Sequence, residues 1–171
     1  MKINLTFCIL IILVCGCKEK GGHEFSTETN IKEAENLAFQ ESLIVGKSIN
    51  LDGIFGDTLS TSSRAILMYT GYDCQSCIDS GFKIVNYIDS LKKSEYFLIA
   101  EIQSNKGKDQ LRYDYSNYIY TDKDDLIRKQ LKYLKTPVIL FLDTANIIRK
   151  VHFPETNERV DQEAIAKLLK N

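Results

Sequence analysis

Cys74 and Cys77 stand with two residues between them, after a short apolar run and before a stretch of helical periodicity, and this arrangement limits the folds open to the chain more than any other feature. Residues 64–70 are apolar and few, as in a buried central strand. Gly71 breaks the run. From residue 78 to 93 the spacing turns helical, with Ile78, Phe82, Val85, Ile88 and Leu91 on one side and Lys83, Asp89, Lys92 and Lys93 on a solvated one. A Cys-x-x-Cys at a helix start sets the first sulfur beside unpaired backbone N–H groups, whose partial positive charge favours thiolate over thiol. The second sulfur follows about one turn later, near enough to close a small disulfide ring. The pattern points to redox chemistry at Cys74 and Cys77.

The other three cysteines fall in the first 17 residues of a 171-residue chain. Met1-Lys2 is a short basic start, and residues 3–14 are apolar but too few to span a bilayer comfortably. Val14-Cys15-Gly16-Cys17 then resembles a bacterial lipoprotein signal, with Cys17 as the lipidated residue because Gly16 is small at the cleavage position. Cys15 stands where Ala or Ser is more usual. An ordinary secretory signal or a short uncleaved anchor are the alternatives. Several acyl chains on one cysteine would hold the protein firmly on a membrane, where one alone is marginal. Cys8 and Cys15 would leave with the signal, so Cys74 and Cys77 would be the one remaining pair, in a compartment where disulfides persist. The net charge of −1 and the lack of any basic run argue against a nucleic-acid surface. The expected partition is a signal peptide over 1–16, a lipidated cysteine and flexible tether over 17–29, a helix over 30–42 and one domain over 43–171.

Within the tether, Gly21-Gly22 and His23 suit a flexible link. Asn30 can cap a helix, with Glu33 at capping-box spacing. Ile31, Ala34, Leu37 and Ala38 would share its packing face. Residues 43–52 and 58–60 read as short strands around Gly53 and Gly56, a hairpin whose 47–51 portion alternates like an edge strand. Residues 96–102 form a second core strand, making a βαβ unit with the first. After a polar break at 104–109, residues 110–117 suit a short helix and 118–120 a short strand. Tyr113, Tyr115, Tyr118 and Tyr120 are better read as rings filling a core edge than as a stacking platform. The acidic start and basic end of 122–134 complement a helix dipole. The same stretch lacks the glycine and terminal glutamate of a calcium loop. Lys135-Thr136-Pro137 leads into a strand at 138–143, a turn at 144–146 and a strand at 147–153. Asn157 or Asp161 could cap a last helix reaching Leu169.

This order of strand, Cys-x-x-Cys helix, strand, helix, Thr-Pro and hairpin, followed by a last helix, resembles the thioredoxin-like thiol–disulfide oxidoreductases, from about residue 43 to the end. The resemblance implies an α/β fold, a three-layer α/β/α sandwich on a central mixed sheet, here with an N-terminal hairpin extension. With its lipid anchor the chain looks like the extracytoplasmic branch, including membrane-tethered proteins that reduce apocytochromes. The resemblance also implies that Pro137 is cis and faces the disulfide, and that Thr136 offers backbone groups to a docked substrate. Three departures stand out. Asp73 replaces the usual Trp, Gln75-Ser76 replaces Gly-Pro, and Met68 replaces a buried carboxylate that helps move protons.

Cys74 is expected to attack a client disulfide and Cys77 to resolve the mixed disulfide. The helix start favours the Cys74 thiolate, Asp73 opposes it and Lys135 could offset Asp73, so no net direction follows from sequence. The expected partners are protein thiols and disulfides, an upstream electron donor and a membrane reached through lipid, with no cofactor, metal or nucleic acid. Four rival readings exist. A structural disulfide would close too small a ring to staple much chain. A copper-binding or metal-delivery module would have His23 and His152 as its only histidines. A peroxidase would lack the upstream proline, although Thr70 lies four before Cys74. A redox-inactive binding lipoprotein on the same fold is the fourth.

Overall fold

The computed structural model describes residues 24–55, 64–90, 97–101, 106–115, 119–132 and 134–156. The chain divides into two compact units, Met1–Asn36 and Leu37–Asn171. The described part of the first unit is helical, the leading stretch of α1 (Glu24–Ile44). This helix begins before the Asn30 cap, in a run free of Gly and Pro. The face expected to pack is exposed at Ile31, Ala34 and Ala38 and half-buried at Leu37. Apolar residues are scattered around α1 rather than gathered in a stripe, and from residue 31 on burial is confined to Leu37, Gln40 and Ile44.

The second unit is organised by a five-stranded sheet in the order β3-β2-β1-β4-β5. Strands β1 (Arg64–Tyr69), β2 (Phe97–Glu101) and β3 (Ile119–Thr121) run parallel, while β4 (Val138–Leu142) and β5 (Ile148–His152) are antiparallel to their neighbours. The parallel pair β1–β2 is joined through α3 (Gln75–Ser90), the βαβ unit read from the sequence. The remaining helices are short: α2 (Asp52–Phe55), α4 (Lys106–Arg112) and α5 (Leu126–Leu131).

Strand alternation divides the core in two. Ile66 and Met68 of β1, with Val138, Leu140 and Leu142 of β4, join Phe55, Ile127 and Leu131 in one cluster. Ala65, Leu67 and Tyr69, with Ile139 and Phe141, join Ile78, Phe82, Val85 and Ile88 of α3 in the other. The buried side of α3 is the one its spacing foretold, and Lys83 and Asp89 are exposed. Leu91, Lys92 and Lys93 lie outside the described residues. Gly81 lets α3 lie close on β1, because a Cβ there would stand 3.0 Å from Leu67 Cδ1.

The expected N-terminal hairpin is corrected in its first half. Ser48 bridges Ile147, beside β5, and Asp52–Phe55 forms α2 where the hairpin turn was expected. Asn50 Oδ1 accepts the Asp52 N–H at 2.8 Å and so favours a helical start over a reverse turn. The second arm, 58–60, lies outside the described residues, as do Cys17 and the stretch expected to form a last helix. Helix α4 starts at Lys106, within the stretch read as a break, and ends at Arg112 rather than near residue 117. The acidic stretch does cap α5, since the buried Asp122 carboxylate accepts N–H bonds from Leu126 at 2.7 Å and Ile127 at 3.0 Å.

Candidate active site

The site forms where β1 runs out. The Thr70 N–H donates to Asp73 Oδ2 at 2.7 Å, and the Asp73 N–H donates to the Thr70 carbonyl at 3.1 Å. The Tyr72 N–H donates to Thr70 Oγ1 at 3.1 Å. These bonds close a tight turn that leaves Tyr72 84% exposed and delivers Cys74 to the start of α3. There the Cys74 carbonyl accepts the N–H groups of Cys77 and Ile78, each at 3.0 Å.

Both thiols are free, Cys74 exposed and Cys77 half-buried. Ser76 Oγ lies 3.1 Å from Cys74 Sγ. Thr156 Oγ1 lies 3.6 Å from Cys74 Sγ and 3.4 Å from Cys77 Sγ, and it accepts from Ser76 Oγ at 3.3 Å. These groups separate the two sulfurs in acidity. The Cys77 thiol, then the Ser76 and Thr156 hydroxyls and the Cys77 N–H, draw the Cys74 pKa down from 9.0 to about 6. Burial, and then Cys74 itself, push the Cys77 thiol up, with the Thr156 hydroxyl and, less, the Lys135 charge working the other way. The arrangement can present a nucleophilic thiolate at the surface with a protonated thiol behind it.

The Thr-Pro segment arrives beside this turn because β4 is antiparallel to β1. The register pairs Met68 with Val138, so residue 137 stands level with the end of β1. The Thr136-Pro137 peptide is cis, and both residues are buried. Thr136 Oγ1 donates to Asp73 Oδ1 at 2.9 Å. Asp73 is therefore a clamp between the end of β1 and the proline loop. Lys135 is exposed, and its N–H donates to Gln40 Oε1 at 3.4 Å. Met68 is fully buried in the cluster opposite α3.

Around the outer side of α3, Gln75 Nε2 donates to the Tyr113 hydroxyl at 2.6 Å and to Asp79 Oδ1 at 3.1 Å. That hydroxyl in turn donates to Asp79 Oδ1 at 2.8 Å. Tyr113 stacks on Phe82 with centroids 3.9 Å apart, and burial followed by Asp79 raises its pKa. Tyr115 is buried in the same cluster, whereas Tyr120 packs edge-on against Phe55 on the opposite side. The tyrosines fill the core, as expected for these three; Tyr118 lies outside the described residues.

Of the residues singled out in the sequence, Asp73 and Thr136 are joined directly, one beside Cys74 and the other beside Pro137 in the chain, and Lys135 is near enough for its charge to act on Cys77. His152 ends β5, and His23 lies outside the described residues. Among the described residues, no group of three or more His, Cys, Asp or Glu side chains is placed to hold a metal. The hydroxyls of Ser76 and Thr156 were not read from the sequence. Ser76 was discoverable, since it lies between the cysteines. Thr156 stands 82 residues from Cys74, and no local pattern marks it.

A secreted Mycobacterium tuberculosis disulfide oxidoreductase homologous to E. coli DsbE superposes with a TM-score of 0.52 at 13% identity, over 66% of this chain and 84% of that one. The fold is thioredoxin-like. A Xylella fastidiosa PrxQ variant matches with a TM-score of 0.55 at 11% identity, over 72% of this chain and 94% of that one. A Xanthomonas campestris peroxiredoxin Q variant matches at 0.51 and 11% identity, over 64% of this chain and 79% of that one. No protein-family model and no curated protein matches the sequence. The thioredoxin-like fold thus carries the near Cys74–Cys77 pair at the head of α3.

Proposed function

We propose that the protein is a membrane-anchored thiol–disulfide oxidoreductase that exchanges disulfides with extracytoplasmic protein clients through Cys74 and Cys77. The observation that carries this reading is the asymmetry of the pair. Cys74 is exposed with a pKa of about 6, while Cys77 is half-buried with its pKa raised. A structural bridge needs no such difference, whereas stepwise exchange does. Cys74 attacks a client disulfide, and its thiolate displaces one client sulfur. Cys77 then attacks Cys74 Sγ and releases the second client sulfur, leaving a Cys74–Cys77 disulfide that an upstream thiol donor must reduce.

Thr136 and Pro137 would line the docking site for an extended client segment beside the sulfurs. Asp73 and Lys135 would modulate the site, Asp73 by holding the loop and Lys135 by its charge on Cys77. Burial on both faces of the sheet supports the three-layer arrangement. Lipidation at Cys17, the signal over 1–16, a tether beginning at 17 and the domain over 43–171 rest on the sequence pattern, while the helix expected over 30–42 is α1 (Glu24–Ile44), which starts within the stretch read as tether. Among the described residues no helix is long and apolar enough to cross a membrane. The proposed location is the bacterial cell envelope, facing an extracytoplasmic compartment.

The test is trapping. Cys77→Ser, expressed in the envelope, is expected to accumulate mixed disulfides that run as new bands on non-reducing gels and vanish with reductant. Wild-type protein is expected to catalyse insulin reduction by a dithiol. No trapped species together with no insulin turnover would refute the proposal.

A further inference from the structure

Resolution of a mixed disulfide needs a proton to move. Cys77 rests protonated and must give up its proton to attack, and a departing client sulfur of ordinary pKa ends the step as a thiol. On the strand before the pair, Met68 is fully buried among apolar side chains and offers no proton. The nearby carboxylate, Asp73, is already engaged by the Thr70 N–H and the Thr136 hydroxyl. Thr156, exposed two residues beyond Pro154, brings one hydroxyl to both sulfurs.

The geometry points to Thr156 as a catalytic proton relay between Cys77 and the sulfur leaving Cys74, its hydroxyl lying 3.4 Å from Cys77 Sγ and 3.6 Å from Cys74 Sγ. This inference rests on the exchange reading above. In the resolving step the Cys77 sulfur bonds to Cys74 Sγ, and the bond from Cys74 to the client sulfur breaks with its electron pair on the client. The Cys77 proton passes to Thr156 Oγ1 while the Thr156 hydroxyl proton passes to the departing client sulfur. The sum is a thiol plus a mixed disulfide giving the Cys74–Cys77 disulfide plus a client thiol, with the threonine restored. Ser76, whose hydroxyl donates to Thr156 Oγ1 at 3.3 Å, orients the relay. Among the described residues, the charged groups around the pair are Lys135, which acts on Cys77, Asp73 before Cys74, and Glu155 beside Thr156. None of the three is given a part in the transfer.

The test uses reduced full-length protein and oxidised glutathione, with acid quenching and mass spectrometry to follow the Cys74–glutathione adduct. At about pH 8, above the Cys74 pKa of about 6, nucleophilic attack is not limited by thiolate supply. Thr156→Val, close in shape and exposed, is expected to slow decay of the adduct by about tenfold or more while changing its formation by less than about threefold. Thr156→Ser is expected to restore decay. Adduct decay at the wild-type rate in Thr156→Val, or failure of Thr156→Ser to restore it, would overturn the relay and leave the exchange reading standing. A wild-type protein that forms no adduct at Cys74 would overturn both.

Discussion

The Thr136 hydroxyl donates to the Asp73 carboxylate at 2.9 Å, tying the loop before β4 to the residue before the exposed thiol. The other oxygen of that carboxylate accepts the Thr70 N–H, so one side chain ties the end of β1 to the loop before β4. Asp73→Ala removes both acceptors. The expected loss is about 1–3 kcal/mol of stability, because it strands a backbone N–H and a buried hydroxyl. Urea unfolding of the reduced protein measures it, and an unchanged midpoint would show that the tie is not stabilising.

Alkylation of the reduced protein by iodoacetamide reads the acidity of Cys74 directly. The thiol reacts as thiolate, and its pKa is lowered to about 6, so the rate is expected to rise through that pH and to level off well below 9. Label is expected on Cys74 first, since burial raises the Cys77 thiol. The largest single cause of the lowering is the Cys77 side chain. Cys77→Ala is therefore expected to move the midpoint upward, and Cys77→Ser, which keeps a donor, to move it less. Predominant labelling of Cys77 would reverse the assignment of roles.

Ser76→Ala removes a hydroxyl 3.1 Å from Cys74 Sγ. The Cys74 pKa is expected to rise and the couple to become more reducing, because the reduced state loses a thiolate-stabilising bond. Equilibration with glutathione redox buffers gives the potential. A more oxidising variant would contradict the sign.

Phe82 is buried, with Tyr113 stacked on it and Tyr69 and Tyr115 edge-on. Phe82→Ala should cost about 3–5 kcal/mol through a cavity that rigid neighbouring rings cannot fill. Chemical denaturation measures this loss, and a loss below about 1 kcal/mol would mean the site had collapsed.

Asp122→Ala leaves the Leu126 and Ile127 N–H groups without their carboxylate. The expected cost is about 1–2 kcal/mol. Faster amide exchange at those two positions is the local readout, and unchanged protection there would argue against the cap.

The parts of the fold legible in the sequence were those with a strong local period. Strands β1 and β4 are continuous apolar runs, and the α3 stripe from Ile78 to Ile88 packs as its spacing dictates. Asp122 was readable as a cap because charge order along a helix is a local signal. Residues 43–55 were not, because short polar–apolar alternation cannot say whether its partner is the next segment or one about 100 residues on, where Ser48 meets Ile147. The cysteine pair announced itself by spacing. The direction of the Cys74 pKa did not, because it depends on how the Cys77 thiol and the Ser76 and Thr156 hydroxyls are turned toward Cys74 Sγ, which the folded chain sets. Thr156 owes its place to the course of the chain after β5, not to any motif.

Met68 has a consequence for how this protein can change over time. With a thioether inside the sheet and hydroxyls outside it, the hydroxyls that help lower the Cys74 pKa are not the groups that hold the layers together. A substitution at Ser76 or Thr156 meets water rather than a packed interior, so reactivity can drift without threatening the fold. Two properties that a buried carboxylate would bind into one position are here free to evolve apart.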